Sequence, residues 1–167
     1  MPISAERFRE IFGSFPTAVS VVTTLDADGQ PRGLTSNTVC AVSVDPPMLL
    51  VAVDKSSNTL PAMRASAGFV VNVLAGGNAE VSRIFARKSA DKFADLEWRA
   101  SEVAAGAPIL VDHAVAVAEC STERAVEAGD HWLFLGRVDE GATYPRPPLL
   151  HRRGVYGEWP LVAEATS

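Results

Sequence analysis

The sequence predicts a mainly β protein in which an antiparallel sheet closes into a barrel. About six or seven segments have the alternating, β-branched composition of strands, and turn residues separate consecutive segments. Helical periodicity is confined to a few short stretches, too few to cover both faces of a parallel α/β sheet. We expect a closed barrel because closure removes exposed strand edges.

Length and composition indicate a single domain over residues 1–167, 47% of which are hydrophobic. The net charge of −5 gives no reason to expect nucleic acid or an anionic membrane as the main partner. The N-terminal residues lack a basic start and an apolar run, and no segment has the roughly 18 apolar residues of a membrane span. We therefore expect a cytoplasmic protein, with Cys40 and Cys120 as reduced core residues.

The first elements in chain order are a short helix and a hairpin. Apolar residues with helical spacing predict a helix over residues 5–13, where a glycine ends the pattern. Residues 19–24 alternate as a strand, and the turn at residues 26–29 leads into a second strand beginning near Pro31.

The middle of the chain predicts three further strands and a helix. Strands at residues 39–44 and 48–53 flank Asp45-Pro46-Pro47, which we expect to interrupt the sheet because proline has no amide donor. A polar capping residue and an early proline predict a short helix from Ser57 to about Arg64, before a strand at residues 69–74.

The remainder predicts one amphipathic helix and two long strands. The helix begins near Asn78, and residues 86–108 have no strand pattern and are expected to form loops. Residues 114–124 and 131–139 predict strands joined by a turn at residues 127–130.

Several familiar catalytic motifs are missing from the sequence. It contains no Gly-x-Ser-x-Gly elbow, no Walker loop, no Cys-x-x-Cys pair and no Gly-x-Gly-x-x-Gly turn. These observations argue against a hydrolase, a kinase and a Rossmann-type nucleotide site. Three histidines are too far apart in sequence to predict a metal site: His113, His131 and His151.

Three polar clusters remain as candidates for a binding site. Residues 33–38 combine glycine with hydroxyl and amide groups that suit a flat polar heterocycle, although a strand end has the same composition. Residues 54–59 bring a cation, hydroxyl groups and free amides to a helix start, which favours phosphate but also describes an ordinary cap. Residues 85–93 carry cations that could hold phosphate or form a solvated surface.

These clusters recur within a longer order of motifs between Phe8 and Tyr156. The motifs are Phe15-Pro16-Thr17-Ala18-Val19-Ser20-Val21-Val22-Thr23-Thr24, Gly33-x-Thr35-x-Asn37-Thr38, Val42-Ser43-Val44-Asp45-Pro46-Pro47, Lys55-Ser56-x-x-Thr59, Phe85-Ala86 with Asp91-Lys92-Phe93, Gly129-Asp130-His131 and Pro148-Leu149-Leu150. In this order and spacing the chain resembles the short-chain flavin reductases of two-component monooxygenases, which have the flavin-reductase-like, FMN-binding split-barrel fold.

The resemblance implies a homodimer with each flavin site at the subunit boundary, and an enzyme that passes hydride from NADH or NADPH to FAD or FMN. Reduced flavin would then diffuse to a separate flavin-dependent monooxygenase. The resemblance also assigns roles to three groups of residues. The isoalloxazine ring and ribityl chain would be lined by Thr35, Ser36, Asn37 and Thr38. The phosphate would be met by Ser56, Ser57 and Thr59, and the phosphate or adenylate side would be completed by Arg87, Lys88, Lys92 and Phe93.

Two further positions follow from the resemblance. Gly129-Asp130-His131 is similar to the signature at the mouth of the nicotinamide site, where His131 would position the nicotinamide ring, although a turn residue entering a strand is the alternative. We expect Asp130 to point to the opposite face of the strand, which argues against a His-Asp relay. Tyr156 would border the flavin site or simply cap the barrel.

The sequence departs from the family at Ala18-Val19 and at Asn37-Thr38, where members often have Gly-Val and Asn-Ser. Both replacements retain small size or the hydroxyl, so they bear on fine geometry more than on flavin binding. A non-catalytic flavin carrier on the same barrel remains an alternative, because fold does not fix function. A relative of the pyridoxamine-phosphate oxidases would require more basic phosphate ligands in the flavin segment than this chain has.

Overall fold

The computed structural model describes residues 1–160, so the last seven residues of the predicted domain, 161–167, lie outside the described residues. Within the described part the helices are α1 (Ala5–Phe12), α2 (Leu60–Ala65) and α3 (Ala79–Ala86). The strands are β1 (Thr17–Ala18), β2 (Ser20–Leu25), β3 (Pro31–Ser36), β4 (Val39–Val44), β5 (Pro47–Asp54), β6 (Gly68–Leu74), β7 (Arg99–Ala100), β8 (Pro108–Ile109), β9 (Ala114–Ala128), β10 (His131–Thr143), β11 (Leu149–Arg152) and β12 (Val155–Glu158).

Seven strands form one antiparallel sheet in the order β3-β2-β6-β9-β10-β5-β4. All seven contribute side chains to a single apolar cluster, as in a sheet that curls around its own core. Its two edge strands, β3 and β4, follow each other in the chain and do not pair with each other. The prediction of a mainly β, antiparallel split barrel with a few short helices is confirmed.

Strand β2 is buried on both faces, which explains why valine and threonine side chains are equally inaccessible along it. Val22 packs inside the barrel against Phe69, Phe134 and Met63 of α2. Val21 packs outside the barrel, in a second cluster with Phe85 of α3 and residues of β11. Helix α3 is thereby fixed against the outer surface of the sheet.

Polar side chains buried in this outer layer have hydrogen-bond partners. Thr23 Oγ1 donates to the carbonyl of Pro108 at 2.5 Å, and Asn72 Oδ1 accepts from the amide of Leu110 at 2.8 Å. Because an unpaired buried polar group is costly, these bonds fix β8 and the residue after it onto β2 and β6.

Three local predictions need correction. Pro47 does not interrupt the sheet: it begins β5, where its missing amide costs no interior ladder bond. The segment predicted as loop contains the two-residue strand β7, which pairs with β8. The hairpin of β11 and β12 was not predicted, because each strand has only four residues and lacks a clear alternation.

Both cysteines are free, but only one is in the core. Burial, aided by nearby acidic groups, raises the pKa of the Cys120 thiol to about 12. The expected burial of Cys40 is wrong, because its side chain is exposed on the edge strand β4. No helix in the described part of the chain is long and apolar enough to cross a membrane.

Gly136 provides a test of core packing. A Cβ at this position would lie 2.6 Å from Cζ of Phe69 and 2.9 Å from Cβ of Cys120. We expect Gly136→Ala to lower the free energy of unfolding by about 1–3 kcal/mol through overpacking. Urea denaturation at fixed protein concentration measures this, with Gly157→Ala as the control because open space surrounds that position. Equal stability of the two variants would contradict the packing described for β10.

Candidate functional site

A groove with cationic walls lies between β3, the loop of residues 54–59 and the segment that follows α3. It consists of two adjoining cavities of about 190 and 160 Å³, which share Asn58, Lys88 and Lys92 in their walls. We call these two cavities the basic groove.

The structure brings eight of the predicted site residues to the basic groove. The first cavity is lined by Thr35, Ser56, Ser57 and Arg87, and the second by Thr59 and Phe93, with Lys88 and Lys92 common to both. Three segments distant in sequence therefore meet at one surface. Arg32 also lines the second cavity and was missed by the sequence analysis, because a lone arginine within a strand gives no binding pattern.

The loop of residues 54–59 is ordered by its own hydrogen bonds. The amide of Ser56 donates to Oδ1 of Asp54 at 2.6 Å, and this bond lowers the pKa of the Asp54 carboxyl. The amide of Ser57 donates to the Asp54 carbonyl, and the amide of Thr59 donates to Oγ of Ser57. The expectation of free amides is thus wrong for these three residues, and the loop offers hydroxyl groups instead.

Thr59 and Lys92 have side chains that bond the protein itself. Thr59 is 2% exposed, and its Oγ1 donates to the carbonyl of Gly33 at 2.9 Å. The Lys92 ammonium donates to the same carbonyl at 2.9 Å and to the carbonyl of Phe85 at 3.0 Å. Phe93 packs edge-on against Phe85 and supports the end of α3.

Arg87 and Lys88 are exposed cations at the end of α3. Arg87 makes a long ion pair of 3.4 Å with Glu80, which is weak at such an exposed position. Lys88 forms no ion pair with any residue of the described chain. These two side chains are therefore available to an anion in the groove.

The predicted isoalloxazine segment lies partly in the basic groove and partly at the connection from β3 to β4, residues 37–38, which we call the corner of the barrel. Thr35 Oγ1 donates to the carbonyl of Ser82 in α3 at 2.6 Å. Ser36 is buried, and its Oγ accepts from the amide of Thr38 at 3.1 Å, which closes the tight connection from β3 to β4. Asn37 and Thr38 are exposed at this corner, and Asn37 Nδ2 lies 3.4 Å from Nδ1 of His151.

Tyr156 lies beyond the corner, on β12. Its hydroxyl is 2.9 Å from Oγ of Ser82, and the guanidinium of Arg83 lies over its ring at 5.1 Å. The His151 ring is 5.2 Å away, so His151 connects Tyr156 to Asn37. His151 and Ser82 are further residues that sequence reasoning missed, since neither belongs to a recognisable motif.

His131 begins β10 opposite Asp54, next to the loop of residues 54–59. Its Nδ1 lies 2.7 Å from Oδ1 of Asp130, and a hydrogen bond from the imidazole lowers the pKa of that carboxyl. The expectation that Asp130 points away from His131 is wrong, because Asp130 belongs to the turn and escapes the alternation of the strand. An ion pair between Lys55 and Glu127 also connects the loop of residues 54–59 to the hairpin of β9 and β10.

Comparison with known proteins places the chain in a family. Residues 12–160 match the family described as "Flavin reductase like domain". The chain belongs to the flavin reductase-like family. The match extends over all the elements that build the basic groove.

Two members of the flavin reductase-like family illustrate the similarity, which extends over most of this chain. The "Flavin reductase (NADH)" of Kitasatospora aureofaciens is 41% identical over 163 residues, covering 95% of this chain and 84% of the relative. The reductase component of the "Flavin-dependent trigonelline monooxygenase" of Acinetobacter baylyi is 40% identical over 148 residues. That match covers 89% of this chain but 47% of the relative, so this chain spans about half its length.

A solved structure of the flavin reductase-like family also matches closely. The NADH:FAD oxidoreductase SgcE6 of Streptomyces globisporus C-1027, in complex with NAD and FAD fragments, has a TM-score of 0.87 and 34% identity. The match covers 98% of this chain and 99% of that chain.

The residues of the basic groove have the chemistry that a flavin requires. Hydroxyl and cationic groups suit phosphate oxygens, and the half-buried Leu34 and the ring of Phe85 supply apolar wall. Thr35 and the exposed Asn37 and Thr38 offer polar groups to a flat ring along the end of β3. The residues present therefore fit the cofactor of this family.

The contact of Asp130 with His131 predicts the tautomer of the imidazole. A carboxylate only accepts hydrogen bonds, so Nδ1 carries the proton and Nε2 of the neutral ring is left as an acceptor. We expect long-range ¹H–¹⁵N NMR at alkaline pH to find the Nδ1–H form of His131, and Asp130→Ala to shift the ring toward Nε2–H. Asp28→Ala, at another exposed turn, is the control. A wild-type ring already in the Nε2–H form would contradict the hydrogen bond.

Proposed function

We propose that this chain is a flavin reductase that oxidises NADH or NADPH, reduces FAD or FMN, and releases the reduced flavin to a separate flavin-dependent monooxygenase. The observation that carries the proposal is the basic groove, whose hydroxyl and cationic groups lie on the loop that follows Asp54, the residue paired with His131, and at the end of α3. Membership of the flavin reductase-like family supports the same activity.

The groove residues have distinct tasks in this proposal. Ser56 and Ser57 donate hydroxyl hydrogen bonds to the flavin phosphate, and Arg87 and Lys88 supply positive charge next to it. Thr35, Ser36, Asn37 and Thr38 follow the ring and ribityl chain around the corner of the barrel. Tyr156, held by Ser82, borders the same site from β12.

His131 positions the second nucleotide. With its Nδ1–H bonded to Asp130, the ring presents Nε2 to a donor such as a carboxamide N–H. A bound flavin supplies the acceptor for the hydride that leaves the dihydronicotinamide. The protein needs no nucleophile or general acid for this reaction, and its task is to hold two rings in contact.

Relatives support this assignment of cofactors and partner. One similar protein is named for NADH, and another is the reductase component of a monooxygenase. SgcE6 was solved with NAD and FAD fragments. We therefore assign NADH and FAD as the first pair to assay, with FMN and NADPH as the alternatives. The cytoplasmic location expected from the sequence stays a prediction.

A homodimer is part of the proposal. Helix α1 has no buried residue, and the rings of Phe8, Phe12 and Phe15 contact one another while each remains about half exposed. Val44, at the end of the edge strand β4, is 93% exposed. Apolar groups exposed in this way are typical of protein interfaces, and a second copy of the chain is the partner that the family resemblance implies.

The activity test uses NADH with FAD or FMN. We expect wild-type protein to oxidise NADH in a flavin-dependent manner, measured by loss of nicotinamide absorbance and by stopped-flow flavin reduction. His131→Ala should lower kcat/KM for NADH about tenfold, or about 1.4 kcal/mol, with little change in flavin Kd, because one positioning group is lost.

His113→Gln is the control for this variant, since His113 contacts Asn78 outside the basic groove. Flavin binding by wild-type protein without NADH oxidation would favour the non-catalytic carrier. Equal kinetics of wild type and His131→Ala would remove His131 from the nicotinamide site.

The dimer is tested by its dependence on α1. We expect wild-type protein at micromolar concentration to have twice the 17.7 kDa mass of one chain in analytical ultracentrifugation. The double variant Phe8→Glu/Phe12→Glu should sediment as one chain, because it places charge in the apolar surface. Arg9→Ala, on the same helix, is the control. A monomeric wild type with full reductase activity would contradict the proposal.

A further inference from the structure

Lys92 is a buried cation whose bonds go to backbone carbonyls. Its ammonium donates to Gly33 O and Phe85 O, and the residue is 9% exposed. Burial lowers the pKa of the ammonium below its usual value. No carboxylate of the described chain lies within ion-pair distance of it. Two of its three N–H donors are therefore used by the protein itself.

These two carbonyls belong to different segments that line the basic groove: Phe85 lines the first cavity and Gly33 the second. Gly33 O lies on β3, two residues before Thr35. Phe85 O lies in the last turn of α3, where carbonyls have no helical partner, and Arg87 follows two residues later. Lys92 thus connects the strand that carries the ring-binding segment to the helix end that carries the phosphate-binding cations.

Gly33 is the meeting point of these segments. Its carbonyl also accepts from Thr59, the residue before α2, so both lone pairs of the oxygen are used. A Cβ on Gly33 would lie 2.7 Å from Cε1 of Phe85, which means that a side chain would push α3 away from β3. The distance between β3 and α3 is therefore set at one place, where Gly33 allows close contact with Phe85 and where Lys92 bonds the carbonyls of both residues.

We propose that Lys92 is a positioning residue that fixes the width of the flavin-binding groove, and that it is not a phosphate ligand. This inference rests on the proposed flavin binding. It assigns phosphate recognition to Arg87 and Lys88, which are exposed, and gives Lys92 the task of holding them at a fixed distance from Thr35.

The test compares two flavins that differ by the phosphate. Lys92→Met retains an unbranched side chain and removes the charge and the donors. We measure the Kd of FMN and of riboflavin for flavin-free protein by fluorescence titration. A change in groove width affects the ring and the phosphate together, so we expect both ligands to bind roughly tenfold more weakly.

Lys88→Met is the matched control, because Lys88 lines the same groove but is exposed. It should weaken FMN binding and leave riboflavin binding unchanged. The same selective loss in Lys92→Met, or no change for either ligand, would overturn the positioning role. If Lys92→Met fails to fold, Lys92→Gln replaces it: it is neutral but keeps two N–H donors, and a selective loss of FMN would again overturn the inference.

The outcome for wild-type protein separates this inference from the function. Wild-type protein that binds neither flavin would overturn the proposed function and the positioning role with it. Binding by wild type, with a variant that behaves like Lys88→Met, overturns only the role of Lys92.

Discussion

The shape of the molecule depends on one topological constraint: the two edge strands of the sheet are joined by two residues. In a flat sheet, seven strands spaced about 4.8 Å apart would place β3 and β4 about 29 Å from each other. Three Cα steps, from Ser36 to Val39, span at most about 11 Å. The sheet therefore has to curl until its edges meet, and Asn37 and Thr38 occupy the corner between them. The segment assigned to the isoalloxazine ring lies at this closure.

The same closure explains why the basic groove lies outside the barrel. The interior is filled by one apolar cluster, to which Leu60 and Met63 of α2 contribute. Phe85 packs against the outer face of β2 and β3 and forms one wall of the groove. Because β2 is covered on both faces, this wall rests on the most buried part of the sheet, and the groove is built on a rigid surface.

Much of this architecture is predictable from sequence because it depends on local patterns. Strand β2, the turn at residues 26–29 and the amphipathic α3 follow from alternation, turn residues and helical spacing. The family follows from the order of motifs that are individually weak. The directions of side chains are not predictable in this way: Lys92 and Thr59 donate to the Gly33 carbonyl, and the Asp130 carboxylate contacts the His131 ring. The first two contacts depend on which distant backbone groups lack partners after folding, and the third depends on the exact end of a strand, so no spacing in the sequence encodes them.

The position of the cations also bears on how tightly the groove can hold an anion. Arg87 and Lys88 follow the C-terminal end of α3, where the helix dipole is negative. The dipole already stabilises these two cations to some extent without a ligand, so phosphate binding gains less than it would from two cations in open solvent. In a chain with a net charge of −5, the remaining charges add no net attraction for an anion. A moderate affinity follows from this arrangement, and it suits a reductase, because a flavin that dissociates slowly would limit turnover.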